Sequence, residues 1–173
     1  MGLKKISKED FDECIDIYFE WKKLSKRIKK IYGRGLNFPE LVSEYLCCYV
    51  NKFEHSTKKG SEDAVGKKGK KIQIKATSNY NSDLSSFGPK SEFDELHFVR
   101  LNLEEDKLEF YKISPRRLNK VIVKKNITFK ERQKEGKRPR FSIINKLIEP
   151  LQLEPYATID LINKKISRTM IKD

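Results

Sequence analysis

Asp63, Gln73 and Lys75 are the side chains whose types and spacing best suit chemistry, and all fall in one stretch, GSEDAVGKKGKKIQIKATSN, at residues 60–79. Ile72 and Ile74 alternate with Lys71, Gln73 and Lys75, the period-2 pattern of a strand that buries one face. Gln73 and Lys75 then share the other face. Asp63 precedes Gln73 by ten residues across a Gly- and Lys-rich segment containing Gly66 and Gly69, which can turn one short strand into the next and bring the acid alongside. An acid, an amide oxygen and an ammonium so placed suit hydrolysis of a phosphodiester. Such an ester is anionic and resists attack, so a divalent ion is needed to neutralise it and to lower the pKa of the attacking water. Asp63 is then a hard oxygen ligand and Gln73 a neutral second one, a set that Mg²⁺ accepts. Lys75 orients or activates the water and offsets charge in the transition state. An alternating basic strand on a nonenzymatic surface accounts for the same spacing equally well.

This trio resembles the PD-(D/E)xK nuclease superfamily, with Asp63 as the D and Gln73-Ile74-Lys75 in place of (D/E)xK. The glutamine is a departure that removes one negative charge and calls for another carboxylate. The resemblance implies a glutamate from the first core helix, and Glu44 is preferred to Glu40. The two project from one side of a helix, but Glu44 lies a turn further in and is better held by packing. Glu40 also suits a helix N-terminus through the macrodipole. An ordinary exposed helix glutamate is the plain alternative for Glu44.

The elements that must position these residues are legible in outline. Ser7 with Asp10 resembles a capping box, and Phe11, Cys14, Ile15, Tyr18, Trp21, Leu24, Ile28 and Ile31 recur at helical intervals, predicting a long amphipathic helix that ends near Gly33. Its lysines read as a solvated face, with phosphate contact as the alternative. A second helix is predicted over residues 39–52, with Pro39 in its first turn and Leu41, Tyr45, Leu46, Tyr49 and Val50 inward. After Lys75 a polar loop offers Asn79, Asn81 and Lys90 to DNA, since loops leaving a rigid strand commonly carry recognition. Strands are predicted over residues 93–103 and 107–113, with His97 as a satisfied strand residue. Ser114-Pro115 and Thr128 each start a short helix. In GKRPRFSI, Pro139 stiffens the backbone that carries Lys137, Arg138 and Arg140. The arginines suit a fork onto guanine O6 and N7 and suit phosphate anchoring equally. Residues 143–153 and 158–166 read as closing helices.

With 173 residues the chain accommodates one domain with a real core. A formal charge of +13 favours a polyanionic partner. That charge is uneven: residues 112–173 hold 17 Lys+Arg against 6 Asp+Glu, whereas residues 1–111 hold 21 against 19. We therefore expect residues 1–113 to form a catalytic core with N-terminal helices and residues 114–173 a basic helical subregion for DNA contact. Cys14, Cys47 and Cys48 make no CxxC pair, and only His55 and His97 offer imidazole, which argues against zinc and against a multi-histidine relay. No apolar run is long enough for a bilayer and no signal peptide is evident, so a cytoplasmic protein with reduced thiols and no membrane partner is expected.

Four strings together carry a closer resemblance: YGRGLNFPELVSEYLC around Ile31 to Cys47, GSEDAV with KKIQIKATSN, DLSSFGPKSEFDELHFVRL at residues 83–101, and TFKERQKEGKRPRFSI. They look like the small type II restriction endonucleases that cut GCNGC sites. Over most of the chain the resemblance implies an α/β fold with a mixed central sheet flanked by helices and Glu44, Asp63, Gln73 and Lys75 at a Mg²⁺ centre. It also implies cleavage of both strands of double-stranded DNA by a homodimer whose twofold axis matches a palindromic site. Two other classes fit the residues. One is a nuclease of the same superfamily that reads DNA structure, such as a junction resolvase or a transposase end-cutting subunit; the other is a nonenzymatic nucleic-acid-binding protein.

Overall fold

The computed structural model describes residues 2–58 and 62–170, so Gly60 and Ser61 of the stretch singled out above lie outside the described residues. In chain order the elements are β1 (Leu3–Lys5), α1 (Lys8–Tyr32), α2 (Glu40–Asn51), β2 (Glu54–Ser56), β3 (Ala64–Val65), β4 (Lys71–Thr77), β5 (Ser85–Ser86), β6 (Glu95–Asn102) and β7 (Lys107–Ile113). There follow α3 (Pro115–Leu118), β8 (Ile122–Lys124), β9 (Ile127–Thr128), α4 (Phe129–Lys134), β10 (Arg140–Phe141), a π-helical turn (Ile144–Ile148), β11 (Ala157–Asp160) and β12 (Lys165–Arg168).

Eight strands form one mixed sheet in the order β1-β2-β3-β4-β6-β7-β11-β12. Within it β4 and β6 are parallel and the other neighbours antiparallel. Helices α1 and α2 cover one face, where Phe11, Ile15, Tyr18, Leu46, Ile72, Ile74, Val99 and Phe110 join one core. The other face carries Leu96, Phe98 and Tyr111, covered by Phe129 of α4, Phe141 of β10, and Ile144 and Leu147 of the π-helical turn. The expected mixed sheet with helices on both sides is therefore present.

Helix α1 starts with the anticipated capping box, in which Ser7 Oγ accepts from the Asp10 amide and the Asp10 carboxylate from the Ser7 amide. It ends at Gly33, whose φ of 73° is left-handed and favours a residue without Cβ. Its inward face stops earlier than the periodicity implied. Burial runs from Phe11 to Trp21, whereas Leu24 is exposed and Ile31 is 73 % exposed. In α2 the inward face is Val42, Leu46, Cys47 and Val50, and Leu41 is 54 % exposed, contrary to expectation. The three cysteines are free and buried, and burial first of all pushes the Cys14 thiol up to about 11 and that of Cys47 up to about 12.

The C-terminal region departs most from the sequence reading. The helix expected over residues 158–166 is instead the hairpin β11–β12, which pairs Ala157 with Phe110 of β7. Ala157 and Ile159 are buried while Thr158 and Asp160 are half-buried, a strand alternation rather than a helical one. The turn closes through the Asn163 amide donating to Asp160 Oδ1 at 2.9 Å, with Lys164 at φ 53°. The other closing helix shrinks to the π-helical turn, and β10 pairs with β5. The basic region is thus mixed in structure, not helical.

Candidate active site

β3 and β4 form the expected hairpin. Ala64 lies opposite Ile72, and the Asp63 amide donates to the Ile72 carbonyl at 2.9 Å. The turn at residues 67–69 uses Gly69 at φ 73°, and a Cβ at Gly66 would come within 3.3 Å of both Ile72 and Phe53, so the hairpin packs closely there. The Asp63 carboxylate is consequently held at the strand. Its Oδ2 accepts from the Ile74 amide at 2.7 Å and from Gln73 Nε2. Burial dominates its electrostatics and pushes the carboxyl up to about 6; Glu44 and Glu40 add to the rise, while the Ile74 amide and Lys75 oppose it.

β4 is covered on both faces, so Gln73 is only 7 % exposed and does not stand on a solvent-facing side as the alternation suggested. Lys75 is half-buried, with its ammonium 5.6 Å from the centre of the Phe87 ring. Glu44 reaches the same place from α2, and its Oε2 lies 2.6 Å from His55 Nε2 on β2.

Asp63, Glu44 and Lys75 all open onto one cleft of about 660 Å³ that Glu40 also lines. Asn37 and Phe38 wall one side. That wall is tied to α1, because Trp21 Nε1 donates to the Asn37 carbonyl at 2.9 Å and the Trp21 ring stands edge-on to Phe38. Ala76 to Ser78, Asp83 to Ser86 and Arg138 make the rest. Gln73 does not line the cleft; it sits behind Asp63. Its Nε2 and Oε1 exchange places by a half-turn of the amide, so the same geometry offers Asp63 a donor or a cation an oxygen.

The two motifs with the most individual character meet here. The Phe87 amide donates to the Pro139 carbonyl at 3.0 Å, and Arg140 pairs with Ser86 in the β5–β10 ladder. Asp83 fixes the junction by accepting from Ser85 Oγ, Ser142 Oγ and the amides of Ile143 and Ile144 at 2.7–3.0 Å. Buried Arg100 holds the preceding loop, donating from Nε to the Tyr80 carbonyl at 2.7 Å with its guanidinium 3.9 Å from the Tyr80 ring centre. Of the residues expected to meet DNA, Arg138 alone lines the cleft among the described residues. Asn79, Asn81, Lys90, Lys137 and Arg140 are exposed outside it. His97 is a buried strand residue satisfied by Tyr156 Oη at 2.7 Å and Glu95 Oε2 at 3.2 Å.

Asp83 and His55 escaped sequence reasoning. Glu44 lies 11 residues from His55, and three of the four donors to Asp83 lie 59–61 residues away, so neither role leaves a clear local signal.

Two carboxylates sharing one cleft with a lysine offer a set of hard oxygen donors that fits Mg²⁺ in donor chemistry. It is a sparse one, since no group of three or more His, Cys, Asp or Glu side chains is clustered tightly enough to hold a metal among the described residues. No helix among them is long and apolar enough to cross a membrane.

Comparison with known proteins converges on one family. A family model described as Bsp6I restriction endonuclease matches residues 6–150. The type II restriction enzyme Bsp6I of Bacillus sp. (strain RFL6) is 41 % identical over 164 residues, covering 94 % of each chain. No solved structure matches the chain.

Proposed function

Because the chain belongs to the Bsp6I restriction endonuclease family, we propose that it is a type II restriction endonuclease that hydrolyses double-stranded DNA at a short palindromic site, with Mg²⁺ as cofactor and a homodimer as the working form. GCNGC is the site first tested. The observation that carries this reading is that Asp63, Glu44 and Lys75, from three segments of the chain, open onto one cleft that Arg138 also lines.

Asp63 and Glu44 would hold the cation, and Gln73, behind Asp63, would steady the Asp63 carboxylate. The ion supplies neutralisation of the phosphodiester and a lowered pKa for water. The chain's own groups do the rest. Ile74 N–H fixes one lobe of the Asp63 carboxylate so that it need not reorganise on binding. Lys75 orients the water and offsets the charge that develops on the phosphoryl oxygens, and Arg138, which lines the same cleft, anchors the phosphate, a task that suits its planar fork. The exposed Asn79, Asn81, Lys90, Lys137 and Arg140 extend from this centre over the duplex, where phosphate contacts give affinity and base-edge contacts give selectivity.

The test is direct. Purified protein is incubated with phage DNA and Mg²⁺, and the ends of the fragments are sequenced. Discrete fragments sharing one palindromic end sequence are expected. Cutting confined to branched DNA would make the protein a structure-reading nuclease instead, and binding with no Mg²⁺-dependent product would remove the enzyme reading.

A further inference from the structure

β2 holds a histidine that the chemistry above does not use. His55 is 6 % exposed, its ring stands edge-on to Tyr45 at 4.9 Å, and Nε2 lies 2.6 Å from Glu44 Oε2. Nδ1 is buried and has no hydrogen-bond partner among the described residues. A carboxylate only accepts, so in this pair Nε2–H donates to Glu44 Oε2. His55 does not line the cleft; Glu44 stands between the ring and it.

The neighbouring residue serves the other carboxylate. The Ser56 amide donates to the Asp63 carbonyl at 2.9 Å, and His55 lies opposite Ala64 in the β2–β3 ladder. A three-residue strand therefore grips Asp63 through its backbone and Glu44 through an imidazole. Glu44 needs such a hold. Its side chain has three rotatable bonds and springs from a different element than Asp63, and the His55 contact is the hydrogen bond that the structure records for its carboxylate.

We infer that His55 is a positioning residue that sets the Glu44 carboxylate facing Asp63, so that the two acids form a preorganised site for a hard divalent cation. This inference rests on the cation-site reading above. Partners that hold a ligating side chain in this way affect cation affinity by about 10–100-fold, without touching the cation themselves.

Calorimetric titration of the full chain with Ca²⁺, in the absence of DNA, tests it. Wild type is expected to bind and Asp63→Ala not to, which fixes the site being read. His55→Phe keeps the ring volume and removes the donor, and affinity should fall by about 10–100-fold. His55→Gln restores a donor of similar reach and should recover part of the loss, a rescue that a purely space-filling role does not give. Should His55→Phe fail to fold by circular dichroism, His55→Asn takes its place, polar but too short to reach Glu44. Wild-type Ca²⁺ affinity in whichever of these two folds overturns the proposal while leaving the cation site standing. Absence of Asp63-dependent Ca²⁺ binding in the wild type overturns both.

Discussion

Replacing Asp63 by Asn should make the metal-free protein more stable while removing its activity. The Asp63 carboxyl sits at about 6, mainly because it is buried, against 3.8 for the free side chain. A folded value above the unfolded one means that the folded state binds the proton more tightly, so stability is highest below about 4 and falls as pH rises through 6. The gap corresponds to about 3 kcal/mol lost by pH 8. Asn is isosteric and keeps an oxygen for the Ile74 amide, but it carries no charge to desolvate. After allowing for the weaker hydrogen bonds of a neutral acceptor, Asp63→Asn should gain about 1–3 kcal/mol at pH 8 and close to nothing at pH 4.5. Urea unfolding in EDTA at both pH values, on wild type and variant, measures this. A variant that is less stable at pH 8, or a difference that does not change between the two pH values, would refute the view that Asp63 is a strained charge awaiting a cation.

Four further outcomes are expected. Lys75→Ala should reduce cleavage by about 10²–10³-fold with a melting curve close to wild type, as read by plasmid nicking and circular dichroism; activity within a few fold would remove Lys75 from the reaction. Arg138→Ala should weaken binding evenly across DNA sequences and reduce the salt slope by about 1, because it faces the cleft, whereas Arg140→Ala should relax discrimination by about 1–3 kcal/mol at one base pair; competition binding at several salt concentrations separates them, and the reverse pattern would exchange their roles. Asp83→Ala strips four donors at the β5–β10 junction and should cost roughly 3 kcal/mol in urea unfolding; a loss under 1 kcal/mol would show that water replaces the carboxylate there. Glu95 should dominate the acid limb: burial alone would raise its carboxyl, but Lys70, Lys112 and His97 outweigh that and hold it at about 2, below the ordinary 4.5. Its contribution is therefore full above about 4.5 and lost as pH falls towards 2, and Glu95→Gln should flatten that decline in acid unfolding followed by fluorescence.

The parts of the site written in local sequence were legible. Asp63 and Gln73 belong to one hairpin whose turn is spelled by Gly66 and Gly69, and Glu44 follows from a short helix in front of it. What escaped depends on distant partners. Helical periodicity at Leu24 to Ile31 says that one side of α1 is apolar, not that the buried part of the helix ends at Trp21. In residues 157–168 strand alternation is interrupted by the four-residue turn Leu161 to Lys164, whose first two residues are apolar, and the apolar residues also sit at spacings a helix would use; pairing with β7 decides the matter. The burial of Gln73 could not be read from alternation either, because a strand covered on both faces keeps its polar residue only where a partner such as Asp63 satisfies it.

The cleft draws on residues from Asn37 to Arg138, and this bears on how such a protein is made. Glu44 leaves the peptidyl transferase centre 94 residues before Arg138, which at about 5–20 residues per second is roughly 5–20 s. For the last 63 of those residues the nascent chain has its acids and its lysine but lacks Arg138 and the β10 strand that pairs with Ser85–Ser86. The cleft is thus completed late in translation, and fragments of stalled synthesis that end before Arg138 lack β10 and also β11 and β12 of the main sheet.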